Sequence, residues 1–383
     1  MLRYWIWLAS LPGISGREKC AVLEYFGSPE DCYYAPGGDY SNVEALRAEA
    51  MEALGDKSLE QAEAILGSCE RRNIQILTLH DSAYPGSLRN IADPPIVLYY
   101  SGTLPDFDSE PMIGVVGTRR ASAYGLRAAR QFGKELAGHG GTVVSGMAEG
   151  IDAAATWGAL EAKTGAVGIL GCGLDIVYPR CNRDLFRKME QQGCLISEYP
   201  PGTKPNRWQF PERNRIISGI SCGVLVVEAP EKSGALITAR QALEQGRDVY
   251  AVPGNIGVDS CLGSNALLRD GAGVVMSGWD ILENYAHRYP DKIRKDIPKT
   301  VPFPGKIAVD NPVTPIYSDV DKKADGPDAV ERMLLSALGT EEALIDTLIA
   351  KTGLPSAEVL AALTMLEVQG MVTTRPGGWV SAS

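Results

Sequence analysis

No Gly-Lys-Ser or Gly-Lys-Thr occurs anywhere in the chain, so it has no P-loop to cradle a nucleotide triphosphate. The loop after the first strand of the central segment, VVGTRRASAYG, has one glycine where a dinucleotide fingerprint needs three. The second strand ends on Ser145 instead of an acidic residue that would hold a ribose, which argues against NAD. The eight cysteines are scattered with no CxxC pair and no histidine at ligand spacing; they read as reduced thiols, and no metal site is expected. None of the three histidines (His80, His139, His287) falls in a strand-end loop, so a nucleophile with a histidine base cannot be assembled, while catalysis by carboxylates alone stays open. No apolar run approaches the length of a membrane helix, and MLRYWIWLASLPG has neither the length nor the cleavage site of a leader. A cytoplasmic protein without a membrane span is the expectation.

What is present is a chain of 383 residues, too long for one ordinary core. Its net charge of −10 is unevenly spread: −9 over residues 1–110, +1 over 111–284, +2 over 285–327 and −4 over 328–383. Electrostatic footprints are local, so an acidic chain can still carry a positive pocket where its arginines cluster.

Residues 1–70 show helical patterning and make a small helical domain of SAM-like or helix-hairpin-helix-like type. The LPGISG turn either presents amides to a phosphate or simply turns the chain, and its acidic surroundings favour the second. Residues 71–110 form a connector of short strands and turns. Over 111–284, short apolar runs (MIGVVG, TVVSG, AVGILG, GVLVVEA, VYAVPG) alternate with helical stretches, the pattern of a Rossmann-like, doubly wound α/β sheet of mostly parallel strands. Residues 285–327 show no sustained period and read as a linker. Residues 328–383 have the outline of a winged helix, but its third helix, SAEVLAALTMLEVQG, has no Lys or Arg, which disfavours sequence-specific duplex binding.

In such a sheet ligands bind beyond the carboxyl ends of the strands. Gly117, Thr118 and Arg119 follow the first strand with Arg120, Ser145 and Gly146 follow the second, and Arg180 follows a Tyr-Pro turn. Lys204, Arg207, Arg213, Asn214 and Arg215 lie in one long segment with Trp208 and Phe210 between the charges, and Ser233 and Gly234 open another helix. Cations, small residues and aromatics at one edge suit a phosphodiester backbone with stackable bases. Trp208 and Phe210 serve equally well as core plugs. Glu228 and Asp175 at strand ends are more readily bonded to loop amides than used as acids or bases.

The motifs GTR (117–119), SGMAEGIDAAA (145–155), GCGLDIVYP (171–179), SEYPPGT (197–203), FPERNRIISG (210–219), VLVVEAPEKSGALITARQALEQGRDVYAVPG (224–254) and GSNALLRDGA (263–272), with YPGSLRNIADPPIVLYYSG (84–102), resemble the DprA, or Smf, family of DNA-processing proteins. They cover about half the chain in order. The resemblance implies a non-catalytic, homodimeric single-stranded DNA-binding protein that protects incoming DNA and helps load the RecA recombinase in natural transformation, with no cofactor. It implies that Gly117, Thr118 and Arg119 form the phosphate-binding loop, that Arg180 stands where the family commonly has Lys, and that Arg213 and Arg215 match its FPxRNRxISG motif. Thr156 departs from the family's usual His. The alternative is an enzyme of the nucleotide phosphoribohydrolase type with Glu228 assisting, although the loop that group uses is replaced here by KSGALITAR.

Overall fold

The computed structural model describes residues 1–295 apart from 45, 163 and 164, and beyond them 329–339, 342–354, 359, 362, 363, 366, 371–375 and 379–382. Two compact units, Met1–Pro302 and Phe303–Ser383, divide the chain.

The first unit opens with helices α1 (Leu2–Ser10), α2 (Gly16–Phe26), α3 (Pro29–Tyr34), α4 (Ala48–Leu54) and α5 (Glu60–Arg72). The LPGISG turn delivers Ser15 as the N-cap of α2, and Ser15 and Glu18 form a capping box that satisfies backbone amides reciprocally. Helix α5 stops at Asn73, whose left-handed conformation (φ 53°) ends the ladder. Two strands follow, β1 (Gln75–Thr78) and β2 (Val97–Gly102), with the single turn α6 (Gly86–Arg89) between them.

Strands and helices then alternate as the sequence pattern requires: β3 (Met112–Val116), α7 (Ala123–Gly138), β4 (Thr142–Ser145), α8 (Ile151–Glu161), β5 (Ala166–Leu170), α9 (Arg183–Gln192), β6 (Cys194–Ser197), α10 (Gln209–Ile220), β7 (Gly223–Val226), α11 (Gly234–Glu244), β8 (Asp248–Ala251), α12 (Leu262–Arg269), β9 (Gly273–Val274) and α13 (Gly278–Leu282). Strands β3 to β7 are buried throughout, because helices cover both faces. The nine strands run in the order β1-β2-β6-β5-β4-β3-β7-β8-β9. Those from β6 to β9 are parallel, while β2 joins β6 and β1 antiparallel, covering an edge that would otherwise offer unpaired amides. Chain order reverses between β3 and β7, and that switch point opens a crevice beyond the strand ends.

One continuous apolar core runs from Trp5 through the sheet to Ile293, so the N-terminal helices and the sheet bury their faces against each other. Tyr285, Tyr289 and Ile293, expected at the start of the linker, belong to this core. The rest of that linker, 296–327, lies outside the described residues. In the second unit α14 (Ala329–Leu338), β10 (Ala343–Leu344), α15 (Ile345–Thr352), β11 (Val372–Arg375) and β12 (Trp379–Ala382) surround a separate core. Its strands form an antiparallel sheet in the order β10-β12-β11. The expected third helix falls mostly outside the described residues, but Val359, Leu363 and Leu366 from it are buried in this core.

Candidate functional site

The loop after β3 is shaped by what lies under it. A Cβ on Gly117 would meet Ile151 Cγ1 at 2.5 Å and the Glu228 carbonyl oxygen at 2.8 Å, so only glycine lets the chain leave the strand here. The Thr118 amide donates to that carbonyl (2.7 Å), and its own carbonyl accepts from the Ile151 amide (3.3 Å). The Glu228 carboxylate is buried and accepts from the Ser122 amide and hydroxyl, pinning the start of α7. Glu228 lines neither cavity described below; it is bonded to loop amides, as expected for a structural role. Asp175 likewise accepts from the Gly202 amide (2.8 Å) and pairs with Arg72 at 3.4 Å.

With the loop held, Arg119 and Arg120 stand exposed at the crevice. The Arg119 guanidinium lies 5.0 Å from the centroid of the Phe210 ring, and that ring stacks on Tyr178 at 5.5 Å with 25° between planes. Phe210 is therefore part of a stack facing the site and not a core plug, while Trp208 is 54% exposed against the edge of Tyr199.

Arg213 enters from α10 and is almost fully buried. It donates to the Gly146 carbonyl (2.6 Å) and to that of Ile169, tying the ends of β4 and β5 together. Burial pushes its guanidinium down to about 10, which leaves it charged at neutral pH. Asp152, at the start of α8, sits close by, and burial pushes its carboxyl up against the opposing pull of Arg213. A Cβ on Gly146 would run into both the Arg213 guanidinium and the Asp152 carboxylate, so any larger residue here would have to displace those two charged groups.

Two cavities meet at this point. The smaller, about 210 Å³, is bounded by Arg119, Gly146–Glu149, Leu170–Cys172, Tyr178, Pro179, Phe210 and Arg213. The larger is an open groove of about 850 Å³ that shares Arg119, Tyr178, Phe210 and Arg213 with it. Thr118, Arg120, Arg207, Asn214, Lys232, Ser233 and Gly234 also line this groove, against the acids Asp152 and Asp259. Ser233 caps α11, so the amides and positive dipole end of that helix face the groove. Such a surface can seat an anion, and the stack beside it can seat a flat ring.

Of the predicted residues, Gly117, Thr118, Arg119, Gly146, Arg213, Asn214, Ser233 and Gly234 are brought together in these cavities. Four are not. Ser145 is fully buried, its hydroxyl spent on the Val115 carbonyl (2.8 Å) between neighbouring strands. Arg180 and Lys204 are exposed but line neither cavity, although Arg180 follows directly on Pro179. Arg215 faces away: its Nη2 donates to both carboxylate oxygens of Glu198 (2.7 and 2.8 Å) and its Nε lies 3.3 Å from Asp93, in the seam with the N-terminal helices. Arg120 and Arg207, named in the sequence among the strand-end cations, also line the groove, whereas sequence reasoning does not single out Lys232 and Tyr178. The signal for Lys232 is its place one residue before the Ser-Gly that opens α11.

The sequence profile described as DNA recombination-mediator protein A matches residues 75–286, more than half of the chain, and that described as DprA winged helix domain matches 320–378. The chain belongs to the DNA recombination-mediator protein A family. Among its relatives, this DprA-family chain is 34% identical to Protein Smf of Synechocystis sp. over 98% of its own length and 97% of the relative's. It is similar to the X-ray structure of DNA processing protein A from Streptococcus pneumoniae, with a TM-score of 0.65, 33% identity and coverage of 74% of this chain and 98% of that one. It is also similar to DNA processing protein A from Helicobacter pylori, whose structure is described for its unique single-stranded DNA binding mode (TM-score 0.51, 29% identity, 56% and 97% covered). Thr156, where this DprA-family chain departs from the usual His, is buried in α8 with its hydroxyl on the Asp152 carbonyl (2.8 Å), and it lines neither cavity.

Proposed function

We propose that this DprA-family chain binds single-stranded DNA across the strand-end face, shields it, and passes it to the RecA recombinase during natural transformation, acting in the cytoplasm as a homodimer and without a catalytic step. In this reading Arg119, Arg120, Arg207 and Lys232 neutralise successive phosphates in the groove, the N-terminus of α11 adds backbone donors, and the Phe210–Tyr178 stack offers a face to a base.

The observation that carries the proposal is Arg119. Among the described residues it forms no ion pair within 4.0 Å, it lies over an aromatic ring, and it borders both cavities. A cation held in that position by a rigid loop suits a polyanion whose bases stack. Support also comes from the H. pylori relative, described as a single-stranded DNA binder. The test is a salt titration of oligo-dT binding by fluorescence anisotropy. Removing one cation that neutralises a phosphate reduces the slope of log K against log salt by about 0.7. Arg119→Ala and Arg120→Ala should each weaken binding and flatten that slope by about this amount. Two variants with the parent's affinity and slope would remove the groove from consideration.

A further inference from the structure

We propose that single-stranded DNA continues out of the groove onto the outer face of α9, where Arg180, Arg183 and Arg187 carry its backbone. This rests on the reading of the groove as a single-strand site and extends it to a surface outside both cavities.

Local structure sets these cations in a row. A 3₁₀ turn, Arg180–Asn182, runs directly into α9. Residues three apart eclipse in such a turn and residues four apart share a face of an α-helix, so 180, 183 and 187 fall on one side. Successive members are about 6 Å apart along the axis. Leu185, Phe186 and Met189 bury the opposite side of α9 against the sheet, and all three arginines are exposed.

The row begins where the smaller cavity ends. Tyr178 and Pro179 line that cavity, and Arg180 is the next residue. Asn182 Nδ2 donates to the carbonyls of Met147 (3.0 Å) and Ala148 (3.1 Å), which belong to the cavity wall, so the foot of the row is fixed to the site.

The charges are not spent inside the protein. Among the described residues Arg180 and Arg183 form no ion pair within 4.0 Å. Arg187 meets Asp184 at 3.5 Å, where side chains 68% and 84% exposed gain little from each other. Arg180 and Arg183 also stand at the N-terminal end of their helix, whose dipole favours acidic side chains and opposes cations. In the free protein that placement is unfavourable, and a polyanion along the row relieves it. Phosphates follow one another about every 3.4 Å on a stacked strand and further apart on an extended one, so a row about 12 Å long suits about three nucleotides beyond the groove.

The test uses fluorescence anisotropy with labelled oligo-dT of six and of twelve nucleotides. The full chain is compared with the double variants Arg183→Ala/Arg187→Ala and Arg183→Lys/Arg187→Lys. The groove takes either strand, and the row meets the longer one. For the parent, the slope of log K against log salt should be steeper with the twelve-mer. The alanine variant should flatten the twelve-mer slope by about 1.4, two contacts at about 0.7 each, lose roughly tenfold in affinity at low salt, and bind the six-mer as the parent does. The lysine variant should keep the parent's slope, since a point charge serves a phosphate. An alanine variant with the parent's affinity and slope for the twelve-mer would overturn the proposal. So would a parent with one slope for both lengths, or an equal loss at both lengths, which marks a general field effect. A parent that binds neither strand would sink the single-strand reading itself. Both variants change exposed side chains, so they should melt with the parent.

Discussion

Two residues apart on a helix means about 200° around its axis, and that angle separates the arginines of the RNR triplet. Arg213 turns to the cavities and Arg215 to the N-terminal helices, so the charges do different work. Arg213→Ala would strand the Gly146 and Ile169 carbonyls and leave Asp152 buried without its counter-charge. The expected cost is about 3–5 kcal/mol in urea unfolding, with single-strand binding lost as well. Arg215→Ala leaves Glu198 and the half-exposed Asp93 unpaired; about 2 kcal/mol should go, with the salt slope of binding unchanged. Arg119→Ala should show the converse, a flattened salt slope at an unchanged urea midpoint. The sequence motif assigns both RNR arginines to the phosphate cradle, because residue type alone says nothing about which way a side chain leaves its helix.

Helices and strands were legible because their periods are local, and the strand-end loops were legible because parallel strands put ligands there. The start of α10 at Gln209 was not, since the Pro211 and Arg-rich run reads as loop until packing completes the helix. At the N-terminus of α2 the capping carboxylate of Glu18 accepts from the Arg47 guanidinium and from Ser15, which holds it well below the usual carboxylate range. A depressed carboxylate contributes stability that is fully present above its unfolded value, near pH 4.5, and lost as pH falls. Asp152 has the opposite sign, since its raised carboxyl is relieved by protonation. Glu18→Gln should therefore lower the melting temperature at about pH 7 and narrow the gap to the parent as pH approaches about 3, measured by calorimetry.

Across the molecule, the charge imbalance seen in the composition becomes a division of labour within the first unit. The first 110 residues carry −9, yet the charged side chains lining the groove are mostly cations: Arg119, Arg120, Arg207, Arg213 and Lys232 against Asp152 and Asp259. The core is shared in the same way. Leu8, Leu54, Leu98 and Ile217 belong to one continuous cluster, so the N-terminal helices shield part of the sheet. A chain beginning at residue 71 should expose that apolar surface, melt at a lower temperature and bind a hydrophobic dye that the full chain excludes. Equal melting of the two would show that the helices fold as an independent domain.

Hydrophobic period, glycine placement and motif spacing, all local along the chain, determined the α/β class, the winged-helix outline, the family and most of the strand-end residues. Tertiary structure alone decided that Arg215 faces the seam, that Ser145 is internal, that Phe210 stacks under Arg119, and that Glu149 shares the smaller cavity with that arginine. Those outcomes depend on the angle at which separate elements meet, and that angle is set by packing between residues far apart in the chain.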